Sequence, residues 1–157
     1  MMLQADGDFR LKDEAATARL GAAVAAALGS GEAICLWGPL GAGKSTLARG
    51  LIRALIGPGE EAPSPTFTLV QFYQAPGLRL AHFDLYRLSG PDEIDEIGLD
   101  EALGEGAVVI EWPERLAHHL PRDRLDIELA PTRQAGAEQR TARLTPNGNW
   151  EGRPIEF

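Results

Sequence analysis

The run of residues 38–46 constrains the fold of this chain more than any other feature. Its first eight residues, Gly-Pro-Leu-Gly-Ala-Gly-Lys-Ser, match the pattern G-x-x-x-x-G-K-[ST] at every fixed position. The apolar run Ala33–Trp37 before it has the length of a buried strand, and residues 45–56 after it have the pattern of a helix. Because strand, glycine loop and helix follow in the order of a phosphate-binding loop, the sequence predicts an α/β protein that binds a nucleoside triphosphate.

The chemistry of such a loop gives most of its residues a role. Glycines allow the backbone to curl so that successive N–H groups point at phosphate oxygens, and the next helix adds the positive end of its dipole. We expect Lys44 to reach the β- and γ-phosphates, the Ser45 hydroxyl to ligate Mg²⁺, and Thr46 to contact the α-phosphate. The predicted nucleotide-binding residues of the loop are Leu40, Gly41, Ala42, Gly43, Lys44, Ser45 and Thr46.

Two acidic residues follow apolar runs further along the chain. Asp84 ends the run of residues 80–83, and Glu111 ends the run of residues 108–110. In P-loop proteins, an acid at the end of a neighbouring strand holds Mg²⁺ directly or through water. One of these two acids could ligate the metal while the other positions or activates water, and their order in the chain does not assign the roles. The alternative for either is a capping or ion-pairing residue at a strand end.

Three further polar residues are candidates for the same site. Thr66 lies in Ser-Pro-Thr-Phe at residues 64–67, where GTPase-like proteins place a threonine that senses the γ-phosphate. The alternative is a proline turn followed by a threonine that opens a strand. His82 alternates with Asp84 and could face the site, although a lone histidine is more often structural. Asp13, at the start of residues 13–19, marks the candidate segment for the adenine pocket.

Periodicity and turn residues outline the other elements of one predicted domain over residues 1–157. Helices are predicted over residues 13–28, with Asp13 as N-cap, and over residues 113–120, with Pro113 in the first position. A hairpin is predicted at residues 68–84 and a buried strand at residues 107–111. A half-exposed strand follows at residues 125–129, and a last edge strand at residues 140–145. The hairpin turn falls at residues 74–77, and residues 91–106 are predicted to be helical or irregular.

The net charge of −8 limits the partners that the chain can hold by itself. Nucleic-acid binding is driven largely by basic residues on phosphates, so we expect this acidic chain to reach RNA only through another protein. No window reaches the roughly 18 consecutive apolar residues of a membrane span. The single cysteine, Cys35, allows no intrachain disulfide, which fits a reducing compartment. These features predict a cytoplasmic protein with no membrane partner.

Four segments, in this order, resemble the TsaE (YjeE) family of bacterial P-loop ATPases. They are residues 38–46, Ser-Pro-Thr-Phe-Thr-Leu at 64–69, His-Phe-Asp-Leu-Tyr-Arg-Leu at 82–88 and Ile-Glu-Trp-Pro-Glu at 110–114. The P-loop alone occurs in very many families, whereas the other three segments are far more specific in so short a chain. The resemblance covers about residues 13–129 and implies the P-loop NTPase fold, a mostly parallel central sheet with antiparallel edge strands and flanking helices.

The resemblance also implies a function and roles for the candidate residues. TsaE-like proteins take part in making N6-threonylcarbamoyladenosine at position 37 of tRNAs that read codons beginning with A. They bind the TsaB–TsaD heterodimer and supply ATP hydrolysis without transferring the group, so tRNA is reached only indirectly. By the family pattern Ser45 and Glu111 ligate Mg²⁺, Asp84 is needed for hydrolysis, and residues 64–67 form a switch loop that contains Thr66.

The chain departs from the family pattern in a few places. The family often has an acid where Pro39 stands and threonine where Ser45 stands, although serine still supplies the hydroxyl. Residues after Ala130 match least, and Arg133 and Arg140 are candidates for nucleotide contacts there. The residues expected to act in catalysis are Lys44, Thr66, Asp84 and Glu111.

Other classes of P-loop protein make different predictions. A small-molecule kinase needs an arginine-rich lid and an acceptor pocket, and a nucleotide-gated binding module binds ATP without turnover even when its partners are present. A GTPase with the Asn-Lys-x-Asp guanine motif is excluded, because the only lysines are Lys12 and Lys44.

Overall fold

The computed structural model describes residues 2–4, 7–62, 65, 69–89, 91–131 and 139–157. In these residues the strands are β1 (Met2–Gln4), β2 (Gly7–Leu11), β3 (Ala33–Trp37), β4 (Val70–Ala75), β5 (Leu78–Asp84), β6 (Ala107–Glu111), β7 (Arg124–Pro131), β8 (Arg140–Pro146) and β9 (Pro154–Glu156). The α-helices are α1 (Glu14–Ala27), α2 (Lys44–Ile56) and α3 (Leu99–Glu105), and short 3₁₀ segments lie at Pro91–Glu93, Pro113–His119 and Gly148–Trp150.

The described strands form a seven-stranded sheet in the order β2-β8-β7-β3-β6-β5-β4. Its four middle strands, β7, β3, β6 and β5, are parallel. Antiparallel strands extend it on both sides, with β4 beside β5, and β8 and then β2 beside β7. This arrangement confirms the predicted P-loop NTPase fold. The terminal strands β1 and β9 pair separately as a two-stranded antiparallel ribbon.

Strand β3 occupies the centre of the sheet because both of its faces are apolar. Ile34 and Leu36 join the core under α1 and α2, whereas Ala33 and Cys35 join the core on the opposite face. All four side chains are fully buried. This burial raises the pKa of the Cys35 thiol, so the lone cysteine is an inert core residue. A strand covered on both faces places whatever follows it at the carboxyl edge of the sheet, which is where α/β proteins bind ligands.

Helix α1 begins at an aspartate cap, as predicted. The Asp13 carboxylate accepts a hydrogen bond from the backbone N–H of Ala16 at 2.8 Å. The helix then crosses α2 at very short range. A Cβ atom on Gly21 would overlap the backbone oxygen of Leu47 in α2, and one on Gly50 would overlap the backbone of Ala18 in α1. The two backbones therefore touch without intervening side chains.

Two sequence predictions about the sheet and helices need correction. Strand β8 is not the edge of the sheet, because β2 pairs along its outer side from Gly7↔Leu144 to Leu11↔Arg140. The helix predicted from Pro113 is a 3₁₀ segment that is broken at Ala117, where φ is 49°. Each of the described helices is too short or too polar to cross a membrane.

Candidate functional site

The glycine loop leaves the end of β3 and leads directly into α2. Gly38 has a φ of 138°, and a Cβ atom there would overlap the carbonyl oxygen of Leu129 on the neighbouring strand β7. Gly43 has a φ of 101° and is the residue immediately before the first turn of α2. Both positions therefore require glycine, which explains the fixed glycines of the pattern in physical terms.

Lys44 is held inside the loop by two contacts. Its ammonium donates a hydrogen bond to the Gly38 carbonyl oxygen at 2.6 Å and lies 3.3 Å from the centroid of the Trp112 ring. Burial lowers the pKa of Lys44, and the charges of Glu111, Glu114 and Asp84 act in the opposite direction. The ammonium thus sits between a carbonyl, an aromatic face and a group of acids that favour its charged form.

Asp84 and Glu111 are brought together by the pairing of two parallel strands. They are register partners at the ends of β5 and β6. The Asp84 Oδ1 atom accepts a hydrogen bond from the backbone N–H of Tyr86 at 3.0 Å. Burial raises the pKa of Asp84 most strongly, and the charge of Glu111 raises it further, whereas the Tyr86 N–H, His82 and Lys44 lower it. Two carboxylates therefore meet at the carboxyl edge of the sheet, beside the first turn of α2.

The Ser45 hydroxyl faces the same carboxylates. Its Oγ atom donates a hydrogen bond to Glu111 Oε1 at 3.1 Å. Among the described residues, no three His, Cys, Asp or Glu side chains form a cluster that could hold a metal ion by themselves. Mg²⁺ does not need such a cluster, because it binds through one or two protein oxygens and completes its shell with phosphate and water. The hydroxyl of Ser45 and the carboxylate of Glu111 are oxygen groups of the kind that could hold this ion.

Glu111 also has a histidine neighbour on β5. The Nε2 atom of His82 lies 2.7 Å from Glu111 Oε2, and both side chains are almost completely buried. His82 therefore faces the site through Glu111, although it does not line the cavity described next.

These groups surround a cavity of about 390 Å³. The glycine loop and the start of α2 contribute Leu40, Gly41, Gly43, Lys44, Ser45 and Thr46 to its wall. Asp84, Tyr86, Glu111 and Trp112 form the side at β5 and β6, and Glu14, Thr17 and Arg140 form the side at α1 and β8. Ala42, which the sequence assigns to the same loop, is fully buried and lies outside the lining.

The wall formed by α1 and β8 contains two residues of the segment 13–19, which the sequence marked for the adenine pocket, together with Arg140. Asp13 caps α1 and is not among the lining residues, whereas Glu14 and Thr17, one residue and one turn further on, are. Arg140 donates a hydrogen bond from Nη2 to the Gly41 carbonyl oxygen at 2.8 Å. Arg140 was one of two arginine candidates, and only the pairing of β8 with β7 brings it to the loop. The other, Arg133, lies outside the described residues, and so do Thr66, Ser64 and Phe67 of the predicted switch loop.

Two aromatic residues close the cavity on the side of the acids. The rings of Tyr86 and Trp112 are 4.9 Å apart between centroids and tilted by 50°. Trp112 adopts left-handed backbone angles, with a φ of 61° and a ψ of 50°, immediately after Glu111. The tight backbone turn at the end of β6 thus aims the indole back over Lys44.

A parallel sheet that delivers a glycine loop and two acids to the same edge is the architecture of the P-loop NTPases. A family model described as threonylcarbamoyl adenosine biosynthesis protein TsaE matches residues 11–142. The chain therefore belongs to the TsaE family.

Individual relatives agree with this assignment. The tRNA threonylcarbamoyladenosine biosynthesis protein TsaE of Rickettsia bellii is 40% identical over 119 residues, which cover 76% of this chain and 83% of the relative. The protein of the same name from Treponema pallidum is 43% identical over 114 residues, or 72% of this chain and 83% of the relative. The crystal structure of YdiB from Bacillus subtilis matches with a TM-score of 0.70 and 30% identity, over 95% of this chain and 88% of YdiB.

Proposed function

We propose that this chain binds ATP with Mg²⁺ in the cavity at the glycine loop and hydrolyses it in support of N6-threonylcarbamoyladenosine formation at position 37 of tRNA. Membership of the TsaE family supports the role in threonylcarbamoyladenosine biosynthesis. The observation that carries the nucleotide chemistry is the hydrogen bond between Ser45 and Glu111, which puts a hydroxyl and a carboxylate side by side at the head of α2.

The glycine loop and α2 supply the groups that would hold the phosphates. The first turn of α2 lines the cavity. The first backbone N–H groups of a helix have no partner within the helix, and the helix dipole favours negative charge beside them. Lys44 has to leave the Gly38 carbonyl and the Trp112 ring in order to reach a phosphate. Because a triphosphate offers several charged oxygens in place of one carbonyl, this exchange favours the bound state.

The acids and the serine supply the groups that would act during hydrolysis. Ser45 and Glu111 would hold Mg²⁺, which neutralises charge on the phosphates when it is bound. Asp84 lies beside Glu111 at the cavity wall, and its carboxylate is fixed by the Tyr86 N–H. A carboxylate in that position can accept a hydrogen bond from a water molecule and orient it towards the terminal phosphate.

The proposed partner is the TsaB–TsaD heterodimer, which would contact tRNA in place of this chain. The net charge of −8 supports this division of labour, because an acidic protein binds phosphate backbones poorly by itself. We propose that turnover is slow in the isolated chain and rises when the partner complex is present.

Phosphate release from ATP, measured with and without TsaB–TsaD, tests the enzymatic part of the proposal. Wild type should exceed the Lys44→Ala and Ser45→Ala variants, and the partner complex should increase the difference. Lys12→Ala is the matched control, since Lys12 is the only other lysine and is exposed. If phosphate release never rises above the Lys44→Ala level while ATP binding is normal, the proposal of hydrolysis is wrong. The chain would then be a nucleotide-gated binding module.

The tRNA part needs a separate experiment. A strain depleted of its own TsaE should lose the modified adenosine and regain it when wild-type protein is supplied. The Glu111→Ala variant should fail to restore the modification although it accumulates to the same level. Full restoration by Glu111→Ala would remove Glu111 from the proposed mechanism.

A further inference from the structure

The contact between His82 and Glu111 joins two strands beneath the floor of the cavity. The two side chains are only 2% and 3% exposed, so both are almost completely buried. Each carboxylate oxygen of Glu111 has a different partner, since Oε1 accepts a hydrogen bond from Ser45 and Oε2 lies 2.7 Å from His82 Nε2. The carboxylate is therefore fixed by two contacts that reach it from opposite sides.

We propose that His82 is a positioning residue that holds the Glu111 carboxylate so that Oε1 faces the Ser45 hydroxyl and a metal ion bound between them. The inference rests on the proposed function, because it concerns the ion that Ser45 and Glu111 would hold. His82 contacts neither the nucleotide nor the metal. Its effect passes through the orientation of one carboxylate.

The chemistry of the pair supports this role. A carboxylate accepts hydrogen bonds and an imidazole nitrogen that bears hydrogen donates them, so the proton in the short contact is on Nε2. The other ring nitrogen, Nδ1, is buried and has no hydrogen-bond partner among the residues that the structure describes. An unpaired lone pair on Nδ1 costs less than an unpaired N–H would, and this also favours the ring form with hydrogen on Nε2.

A purely structural histidine would not need this geometry. His82 lies on β5 between its register partners Gln71 on β4 and Val109 on β6, in a stretch of β5 whose side chains are otherwise apolar. An apolar residue would fill such a position with less cost in desolvation. The feature that an apolar residue cannot reproduce is the donor directed at Oε2. Neighbours of metal ligands that orient them in this way typically change metal affinity by about 10- to 100-fold when they are removed.

The test measures the Mg²⁺ concentration needed for tight ATP binding, with ADP binding in the absence of Mg²⁺ as the reference. His82→Leu should raise that Mg²⁺ concentration by about tenfold or more while Mg²⁺-free ADP binding stays the same. His82→Gln should restore most of the loss, because its amide can place an N–H donor near the position of Nε2. His82→Asn should not restore it, because the asparagine side chain is one carbon shorter than glutamine and its amide does not reach Glu111.

A double-mutant cycle separates positioning from packing. If His82 acts through the carboxylate, His82→Leu should cause no further rise in the required Mg²⁺ concentration when Glu111 is already alanine. The inference is overturned if His82→Leu needs no more Mg²⁺ than wild type, or if its effect persists undiminished without the Glu111 carboxylate. If the leucine variant does not fold, the comparison of His82→Gln with His82→Asn decides, and equal Mg²⁺ dependence of these two overturns the inference. A wild-type protein whose ATP binding is indifferent to Mg²⁺ would contradict the proposed function itself.

Discussion

The ammonium of Lys44 lies 3.3 Å from the centroid of the Trp112 ring, and it donates a hydrogen bond to the Gly38 carbonyl at the same time. The residue that is expected to contact the terminal phosphates therefore has two contacts within the protein. We expect a bound nucleotide to replace these contacts with phosphate oxygens, and this would make the indole a reporter of binding.

Tryptophan emission should change when ATP and Mg²⁺ are added, because the ammonium then leaves the face of the Trp112 ring. The chain has three tryptophans, so the signal has to be assigned by substitution. Trp112→Phe should abolish the change and retain ATP binding to within about tenfold, since Lys44 no longer contacts this ring when ATP is bound. A change of full amplitude in the Trp112→Phe protein would show that another tryptophan responds.

Asp84→Asn should separate activity from stability. Burial raises the pKa of Asp84, which means that the folded chain holds the charged form at a cost at neutral pH. An asparagine removes this cost and can still accept the Tyr86 N–H. We therefore expect a higher melting temperature for the free protein and phosphate release lower by about 100-fold or more. Asp95→Asn, at an exposed position, should change neither. A variant that melts earlier than wild type would contradict the assigned burial cost.

Two glycines of the loop should differ in their tolerance of alanine. A methyl group at Gly38 would overlap the Leu129 carbonyl, whereas the space around Gly41 is open and only its φ of 79° opposes a side chain. We expect Gly41→Ala to cost about 1–2 kcal/mol from backbone strain and Gly38→Ala to cost clearly more, because a strand must also move. Urea unfolding of the two proteins measures the difference, and equal costs would contradict the close approach of the loop to β7.

The pair of Glu32 and Arg153 should contribute stability that depends on pH. Each Glu32 oxygen accepts a hydrogen bond from Arg153, at 2.8 and 2.7 Å, and these bonds are the main reason that the pKa of Glu32 is lowered. Because the pKa of Glu32 is lower in the folded chain, its ionised form stabilises the fold at pH values above the ordinary pKa of 4.5. This stability is lost as the pH falls through the lowered pKa.

Glu32→Gln should therefore destabilise the protein by about 2 kcal/mol at neutral pH and by progressively less in acid. Melting temperatures across this pH range measure the effect. Glu105→Gln serves as the control, because its pair with Arg79 is half exposed and should contribute little. A penalty for Glu32→Gln that stays constant as the pH falls would mean that the charge of Glu32 is not its source.

Local patterns were sufficient for the elements that carry the phosphate chemistry. The apolar run of β3, the glycine spacing and the start of α2 are encoded in consecutive residues, as are the acids that end β5 and β6. Parallel pairing then brings Asp84 and Glu111 together without further information, because the carboxyl ends of parallel strands share an edge.

The remainder depends on contacts between distant parts of the chain. Strand β2 pairs with residues more than 120 positions away, and no turn or periodicity near residues 7–11 indicates that partner. Arg140 reaches the loop only because β8 lies beside β7, and Glu14 and Thr17 reach the cavity only because of the way α1 crosses α2. The pairing of the outer strands, and the meeting of Glu14, Thr17 and Arg140 at one cavity, therefore could not be predicted from local pattern alone.

The crossing of α1 and α2 at Gly21 and Gly50 has a consequence for ligand recognition. Since the two backbones touch, the wall formed by α1 cannot swing away from the loop that leads into α2 unless the core opens. Both halves of the cavity are thus brought into place when the chain folds, and an incoming ligand does not have to order them again. A bulkier residue at Gly21 or Gly50 would push the wall formed by α1 outwards. Such a substitution would weaken binding although neither position contacts the ligand.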